Sequence, residues 1–281
     1  MKIDIIQAIF LGLVQGLTEF FPVSSSGHLV LFQDILGLGG TEEAAASLMT
    51  FDIFLHVGTL AAVFAVFWRD IWDLFRPPFN RLLMLIGACV PAAAVGFLLS
   101  DRVEEFFGNG TYLPFFFLLT AAILFIADTA AKRRQKQKKP ESPVGIKHAA
   151  LMGLAQAAAI FPGLSRSGTT ISAGILSGAE RGRAARFSFF LSVPVIAGSA
   201  LVSVVKGGLS GAGGVGLTAI AAGMAAAAVS GFLALKLMLK VVSKNNYRWF
   251  ALYMAAFPAP FSKNFNLYIV YQIFIVFESI F

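Results

Sequence analysis

The sequence is poor in charged residues. Only 13% of its 281 residues are charged, whereas 57% are hydrophobic. A soluble domain of this length carries about 25% charged residues, so this chain cannot cover its surface with polar groups. A transmembrane helix needs about 20 predominantly apolar residues, and many such stretches are present. The composition excludes a soluble globular protein and predicts an integral membrane protein with lipid as much of its solvent.

Cysteine and a recognisable leader are also lacking. The sequence has one cysteine, Cys89, which lies in an apolar run. A single cysteine cannot form a disulfide framework or a cysteine-based metal site. Residues 1–4 lack the basic region and the small-residue cleavage site of a signal peptide. We therefore expect the first apolar segment to remain in the mature protein.

Acidic residues are fewer than basic ones, 15 against 22, which gives a net charge of +7. The basic residues cluster between apolar stretches, where positive charge marks the cytoplasmic side of a membrane protein. These clusters lie at 68–81, 131–147, 180–186 and 236–248. The segments 34–45 and 101–112 are acidic and belong outside. We therefore expect the bilayer as a partner and no nucleic acid. The run 132–139 could bind anionic lipid, but a solvated linker is the simpler interpretation.

Seven apolar stretches predict helices, and two further segments are broken by glycine, proline and serine. The predicted helices are 46–67, 82–100, 113–130, 187–205, 214–235, 249–261 and 265–281. The broken segments are about 5–33 and 148–178. Because the second of these begins and ends on the cytoplasmic side, it must cross an even number of times or enter the bilayer and return.

The two broken segments resemble each other. Phe-Pro followed by a serine cluster and glycine occurs at 21–27 and again at 161–168, and 51–57 resembles 187–193 downstream. Helix 46–67 enters the cytoplasm whereas 187–205 leaves it, which indicates an inverted-topology repeat. Such folds place their site near the midplane, between broken helices of the two halves. We predict one membrane domain over 1–281, with halves of about 1–130 and 148–250 joined by the linker 131–147.

The first motif combines a carboxylate with hydroxyl groups. Gln15 and Glu19 are four residues apart and share one helical face, and Pro22 ends that helix. Ser24, Ser25, Ser26 and Gly27 then supply hydroxyls and backbone N–H groups at a helix start, an arrangement suited to phosphate. His28 follows and can carry a proton near neutral pH.

The second motif adds a cation. Ser165 and Ser167 flank Arg166, whose fork of donors suits bidentate phosphate recognition. Serine and glycine clusters also pack transmembrane helices, but an unpaired Glu or Arg in the membrane interior costs several kcal/mol. We therefore expect Glu19 and Arg166 to be functional. By contrast, we interpret His56 as structural and Asp128 as interfacial.

At these motifs the sequence resembles the undecaprenyl-diphosphate phosphatases, also known as bacitracin-resistance proteins, over about residues 1–255. The similarity is most specific at Gln15–His28 and at Pro162–Thr170. The resemblance implies an all-α polytopic fold of two inverted halves, each with a re-entrant helical hairpin. It also implies hydrolysis of undecaprenyl diphosphate to the monophosphate in the bacterial inner (cytoplasmic) membrane, with a divalent cation, Mg²⁺ or Ca²⁺, as cofactor.

The expected site draws on both motifs. The predicted catalytic residues are Glu19, Ser25, His28 and Arg166, the predicted phosphate ligands are Ser24, Ser26, Gly27, Ser165, Ser167, Gly168 and Thr170, and the predicted metal ligands are Glu19 and Gln15. The family pattern has Glu or Gln at the position of Gln15. Because this chain has the uncharged Gln, Glu19 is left as the principal anionic ligand.

Several alternatives stay open at this point. Ser25 or His28 could be a covalent nucleophile, or His28 could be a general base on water. A transporter or flippase of a phosphorylated lipid or anion could use the same binding groups. A homodimer is an alternative to a monomer. The tail after Pro258 does not resemble the family's usual ending, and the sequence does not decide whether 265–281 spans the membrane.

Overall fold

The protein is all-helical. The computed structural model describes residues 3–38, 41–107, 112–205, 215–243 and 247–257. Over these ranges it has ten α-helices and no β-strand. The helices are α1 (Ile5–Phe20), α2 (Ser25–Ile35), α3 (Glu42–Leu74), α4 (Asn80–Phe107), α5 (Leu113–Lys136), α6 (Ile146–Ala158), α7 (Arg166–Ser177), α8 (Arg181–Val205), α9 (Leu217–Ser243) and α10 (Tyr247–Ala256).

Five of the described helices are long and apolar enough to cross a membrane. These candidate spans are Ala44–Leu74, Asn80–Leu99, Leu113–Lys136, Arg181–Val202 and Leu217–Val242. Each coincides with a predicted helix, so the prediction of a multi-pass membrane protein is confirmed. The predicted stretch 249–261 corresponds to α10 up to Ala256, and the prediction at 265–281 lies outside the described residues.

The helices extend further than the sequence predicted. The basic clusters were placed in loops, but Arg133, Arg134 and Lys136 lie in the last turn of α5, and α8 already begins at Arg181. Lys and Arg are good helix formers, and in α5 their positive charge is also favourable at the helix C-terminus. The linker 131–147 is therefore partly helical, with α6 beginning at Ile146.

The two broken segments form helical hairpins. α1 and α2 have 16 and 11 residues, and α6 and α7 have 13 and 12. The helices of each hairpin contact each other. All four are shorter than the roughly 20 residues that cross a bilayer, as expected for segments that enter the membrane and return.

Contacts between helices are paired between the two halves. α1 packs against α9, and its counterpart α6 packs against α4. α3 packs against α8, and α5 packs against α10. If each helix is replaced by its counterpart in the other half, the contact between α1 and α9 becomes the contact between α6 and α4. The other two contacts are each between a helix and its own counterpart. The pattern agrees with an internal repeat, while the opposite orientation of the halves in the membrane stays a prediction.

Asp128, which the sequence predicts at the membrane interface, is buried within the protein. It is 2% exposed, and its carboxylate lies 3.3 Å from Nη1 of Arg181 and 2.5 Å from Nζ of Lys132. Arg181 is itself only 5% exposed. The Asp128–Arg181 pair thus joins α5 to the start of α8 through two buried charges, which are stable there because each neutralises the other.

We predict that Asp128→Ala destabilises the protein strongly, because it leaves the Arg181 guanidinium buried without its carboxylate. Breaking a buried pair from one side costs about 3–5 kcal/mol. Thermal unfolding in detergent, followed by size-exclusion chromatography, should show a clearly lowered midpoint. Asp73→Ala is the control, because its pair with Arg76 has side chains 57% and 65% exposed. An equal effect of the two substitutions would contradict the prediction.

Candidate active site

The tips of the two hairpins meet at one cavity of about 250 Å³. Both motifs contribute to its wall, and so do α3 and α8. The predicted site residues that line it are Glu19, Ser24, Ser25, Ser26, Ser165, Arg166 and Ser167. Ile53 and His56 of α3 and Val195, Ile196 and Ser199 of α8 complete most of the wall. The structure thus brings together two motifs that lie about 140 residues apart in the sequence.

An ion pair between Glu19 and Arg166 links the two hairpins. Nη2 of Arg166 donates to Oε1 of Glu19, and Nη1 of Arg166 donates to the Ser188 carbonyl at 3.3 Å. Glu19 is 5% exposed, and the Arg166 side chain is 18% exposed. Buried charges of this kind are stable only when they are paired. The pair brings the C-terminal end of α1 to the first residue of α7.

The other oxygen of Glu19, Oε2, faces three further side chains. Ser25 Oγ donates to it at 2.6 Å and Gln15 Nε2 donates at 3.0 Å. Nε2 of His56 lies 3.6 Å away. A hydroxyl bonded to a carboxylate at this distance is a strong, charge-assisted hydrogen bond. The Glu19 carboxylate is therefore the centre of the site.

The serine cluster of the first motif is an unusual turn. Ser24 has φ 63° and ψ 90° and is the N-cap of α2, accepting from the Gly27 N–H at 3.4 Å. α2 then begins at Ser25. Gly27 does not line the cavity, and a Cβ there would overlap the Phe117 ring. The predicted phosphate ligand Gly27 is thus a close packing contact.

The second motif is arranged in a similar way. Ser165 is the N-cap of α7 and accepts from the Gly168 N–H at 3.1 Å. Ser167 Oγ donates to the Phe21 carbonyl at 2.9 Å and so ties this motif to the first. Thr170 is fully buried, with its hydroxyl 2.5 Å from Ser188 Oγ. Gly168 and Thr170 therefore support the turn and are not among the residues that line the cavity.

His28 lies behind the turn. It is 2% exposed and is not one of the cavity-lining residues. Its Nδ1 lies 2.7 Å from the Ser24 carbonyl and its Nε2 lies 2.8 Å from the Tyr253 hydroxyl. Both ring nitrogens of His28, the predicted proton carrier, are thus hydrogen-bonded to other groups of the protein.

His56 lies in the wall of the cavity, where the sequence predicted a structural residue. Its Nδ1 is 2.7 Å from the Asp52 carbonyl, so Nε2 is the nitrogen that faces Glu19. The signal for His56 in the sequence is the repeat, because the segment 51–57 that contains it resembles 187–193. In the structure the His56 side chain faces Glu19, whereas Ser188 contacts Arg166 through its main-chain carbonyl.

The residues present restrict the kind of metal site that can form. Among the residues that the structure describes, no group of three or more His, Cys, Asp and Glu side chains could hold a metal ion. Gln15 is fully buried, and its Oε1 has no hydrogen-bond partner in the described part of the chain. The donors therefore do not form an all-protein cage. They fit a cation held by one carboxylate, Glu19, together with substrate phosphates, as is usual for Mg²⁺.

Comparison with known proteins finds relatives that match most of this chain. An undecaprenyl-diphosphatase from Carboxydothermus hydrogenoformans is 40% identical over 252 residues, which cover 88% of this chain and 92% of the relative. Proteins of the same name from Halothermothrix orenii and Parabacteroides distasonis are 37% and 39% identical, and each alignment covers 89% of this chain and 94% of the relative.

The family itself follows from the extent of the match. Residues 8–259 match the family described as bacitracin resistance protein BacA, and this range includes both hairpins and all ten described helices except the first three residues of α1. The resemblance predicted from the motifs is confirmed: the chain belongs to the bacitracin resistance protein BacA family.

Proposed function

We propose that this protein is a membrane phosphatase that hydrolyses undecaprenyl diphosphate to undecaprenyl phosphate and inorganic phosphate, and so recycles the lipid carrier of cell-wall synthesis. Its location is the bacterial cytoplasmic membrane, which it crosses several times. The relatives named undecaprenyl-diphosphatase support the substrate. The observation that carries the proposal is the Ser25–Glu19–Arg166 chain, in which a hydroxyl, its proton acceptor and a phosphate-binding cation share one cavity.

The diphosphate is bound by groups from both hairpins. α2 and α7 begin at Ser25 and Arg166, so two helix N-termini lie at the same cavity. Their free N–H groups and helix dipoles favour an anion. The hydroxyls of Ser26, Ser165 and Ser167 add donors, and the Arg166 guanidinium binds two phosphate oxygens.

Ser25 is the nucleophile in this mechanism. The Glu19 carboxylate pairs with Arg166 through Oε1 and accepts the Ser25 hydroxyl through Oε2, so Oε2 is placed to take the proton of that hydroxyl. Ser25 Oγ attacks the terminal phosphorus, its proton passes to Glu19 Oε2, and undecaprenyl phosphate leaves. Water then hydrolyses the phosphoserine and releases inorganic phosphate. The 2.6 Å hydrogen bond from Ser25 to Glu19 supports this route over direct attack by water.

A divalent cation, Mg²⁺ or Ca²⁺, is the proposed cofactor. It would be held by Glu19 and by the diphosphate oxygens, and it would offset the charge that develops on the leaving phosphate. Gln15, which hydrogen-bonds Glu19 from the buried side, orients that carboxylate and replaces the second acidic ligand.

The cavity opens to the outer face in this proposal. Its wall continues from Glu19 to Ser199, which lies towards the end of α8 remote from the basic residues Arg181, Arg183 and Arg186. Those residues mark the cytoplasmic end of the helix. The diphosphate headgroup would therefore be hydrolysed on the outer side of the membrane.

We predict that purified protein in detergent releases phosphate from undecaprenyl diphosphate in the presence of Mg²⁺ or Ca²⁺ and stops when EDTA is added. Ser25→Ala should lower kcat by more than about 100-fold, because it removes the nucleophile. Acid quenching of a single turnover with labelled terminal phosphate should trap phosphoserine in the wild type alone.

Ser177→Ala is the matched control, since among the described residues that hydroxyl bonds only within α7, to the Gly174 carbonyl. Release by Ser25→Ala at the wild-type rate would exclude the covalent route. No release by well-folded wild type with any cation would instead favour a carrier of phosphorylated lipid, to be tested by flux into liposomes.

We predict that Arg166→Lys lowers kcat/KM by about 10- to 100-fold, because an ammonium keeps the charge but cannot bind two oxygens at once. The measurement is steady-state phosphate release over a range of substrate concentrations. Arg183→Lys serves as the control, since its pair with Glu180 is more than half exposed on the arginine side. Near-normal turnover of the Arg166 variant would remove this residue from the phosphate clamp.

We predict that Ser199→Cys, introduced into a Cys89→Ala background, is labelled in intact cells by a membrane-impermeant maleimide. The reagent reaches the outer face only, where this wall of the cavity opens. Lys139→Cys, in the exposed basic linker, should react only after the cells are permeabilised. The reverse labelling pattern would place the cavity on the cytoplasmic side.

A further inference from the structure

The residue before the proposed nucleophile has a strained backbone. Ser24 has a positive φ of 63°, in a region that residues with a side chain rarely occupy. One other described non-glycine residue shares this property, Lys138 in the exposed linker. Ser24 is buried at 4% exposure. Strained backbone persists only where the surrounding structure holds it, so something must hold this turn.

The imidazole of His28 is placed to do this. Its Nδ1 lies 2.7 Å from the Ser24 carbonyl, and because a carbonyl oxygen can only accept, Nδ1 carries the hydrogen. Nε2 of the neutral ring is then an acceptor, and the Tyr253 hydroxyl donates to it at 2.8 Å. One continuous chain of hydrogen bonds therefore runs from α10 to the strained carbonyl.

Aromatic rings fix the orientation of this imidazole. The Phe257 ring stacks on it at 4.4 Å between centroids, and the Tyr253 ring lies parallel within 8° at 5.8 Å. Phe117 lies at 5.7 Å. A ring enclosed in this way, 2% exposed and outside the cavity wall, cannot reach a diphosphate without leaving its site.

We propose that Tyr253 and His28 are a pair of positioning residues that hold the Ser24 turn, so that Ser25 Oγ stays on Glu19. This inference rests on the proposed function and deepens it. Tyr253 lies outside both motifs, and it acts on the reaction through His28 and the backbone of Ser24. His28 contributes a fixed N–H donor to the turn and exchanges no proton with the substrate.

The two roles of His28 can be separated by substitution. Asparagine can donate an N–H from nearly the position of Nδ1, but it cannot accept a catalytic proton. His28→Asn should therefore keep at least about a tenth of the wild-type kcat, whereas His28→Ala should lose about 100-fold, the usual result of a small misplacement of a reacting group. The dependence of kcat on pH should have the same shape in wild type and His28→Asn.

Tyr253→Phe keeps the ring stacking and removes only the hydroxyl. Loss of this one hydrogen bond should lower kcat about 3- to 10-fold with KM unchanged, and it should slow phosphoserine formation by the same factor. Tyr247→Phe on the same helix is the matched control, because the Tyr247 hydroxyl is buried without a hydrogen-bond partner among the described residues. Its kcat should equal that of the wild type.

Some results would overturn the inference. If His28→Asn elutes as folded protein but is as inactive as His28→Ala, His28 transfers a proton. If Tyr253→Phe has the wild-type kcat, the hydroxyl does not position the turn. Phosphate release by the wild-type protein tests the proposed function by itself, whereas the variants test only the roles of His28 and Tyr253. Nitrogen-15 spectra of labelled histidine need no turnover: they should show His28 protonated at Nδ1, with the Nε2 resonance shifted in Tyr253→Phe. An Nε2-protonated ring would also refute the pair.

Discussion

The ion pair between Glu19 and Arg166 holds the central part of this structure together. Each charge comes from the tip of a different hairpin, and each would be costly alone in an apolar interior. The two charges neutralise each other only when the tips meet. That meeting also brings Ser25, the hydroxyls of the second motif and the N-termini of α2 and α7 to the same cavity. The contact that pairs the two charges is therefore the same contact that assembles the site.

Short helices have a functional consequence in this fold. Helices that stop inside the membrane leave N–H groups without partners within the helix, and these must be satisfied by side chains, water or ligands. Ser24 and Ser165 each cap one such helix, and the remaining donors are available to an anion. The repeated motif thus supplies a serine-capped helix N-terminus twice, while only the first copy adds a carboxylate and only the second an arginine.

The convergence of the two motifs could be predicted from the sequence, whereas the positions of the two histidines could not. Glu19, Ser25 and Arg166 were predicted to converge, and they do, because polar groups in an apolar chain must find one another. His28 was assigned to chemistry because it follows Ser25 in the chain, but its ring is oriented by Tyr253, 225 residues away. The sequence predicts a structural role for His56 because apolar residues surround it in a helical stretch. Only the packing of α3 beside α1 turns it towards Glu19.

The sequence by itself determined the membrane location, the five long spans, the two broken segments and the family, because each of these depends on hydrophobicity and on local motifs. The tertiary structure alone decided which motif residues line the cavity and which support it. It buried Asp128 against Arg181 and placed Gly27, Gly168 and Thr170 behind the wall. Side-chain direction depends on neighbours that are distant in the chain, and no local pattern encodes those neighbours.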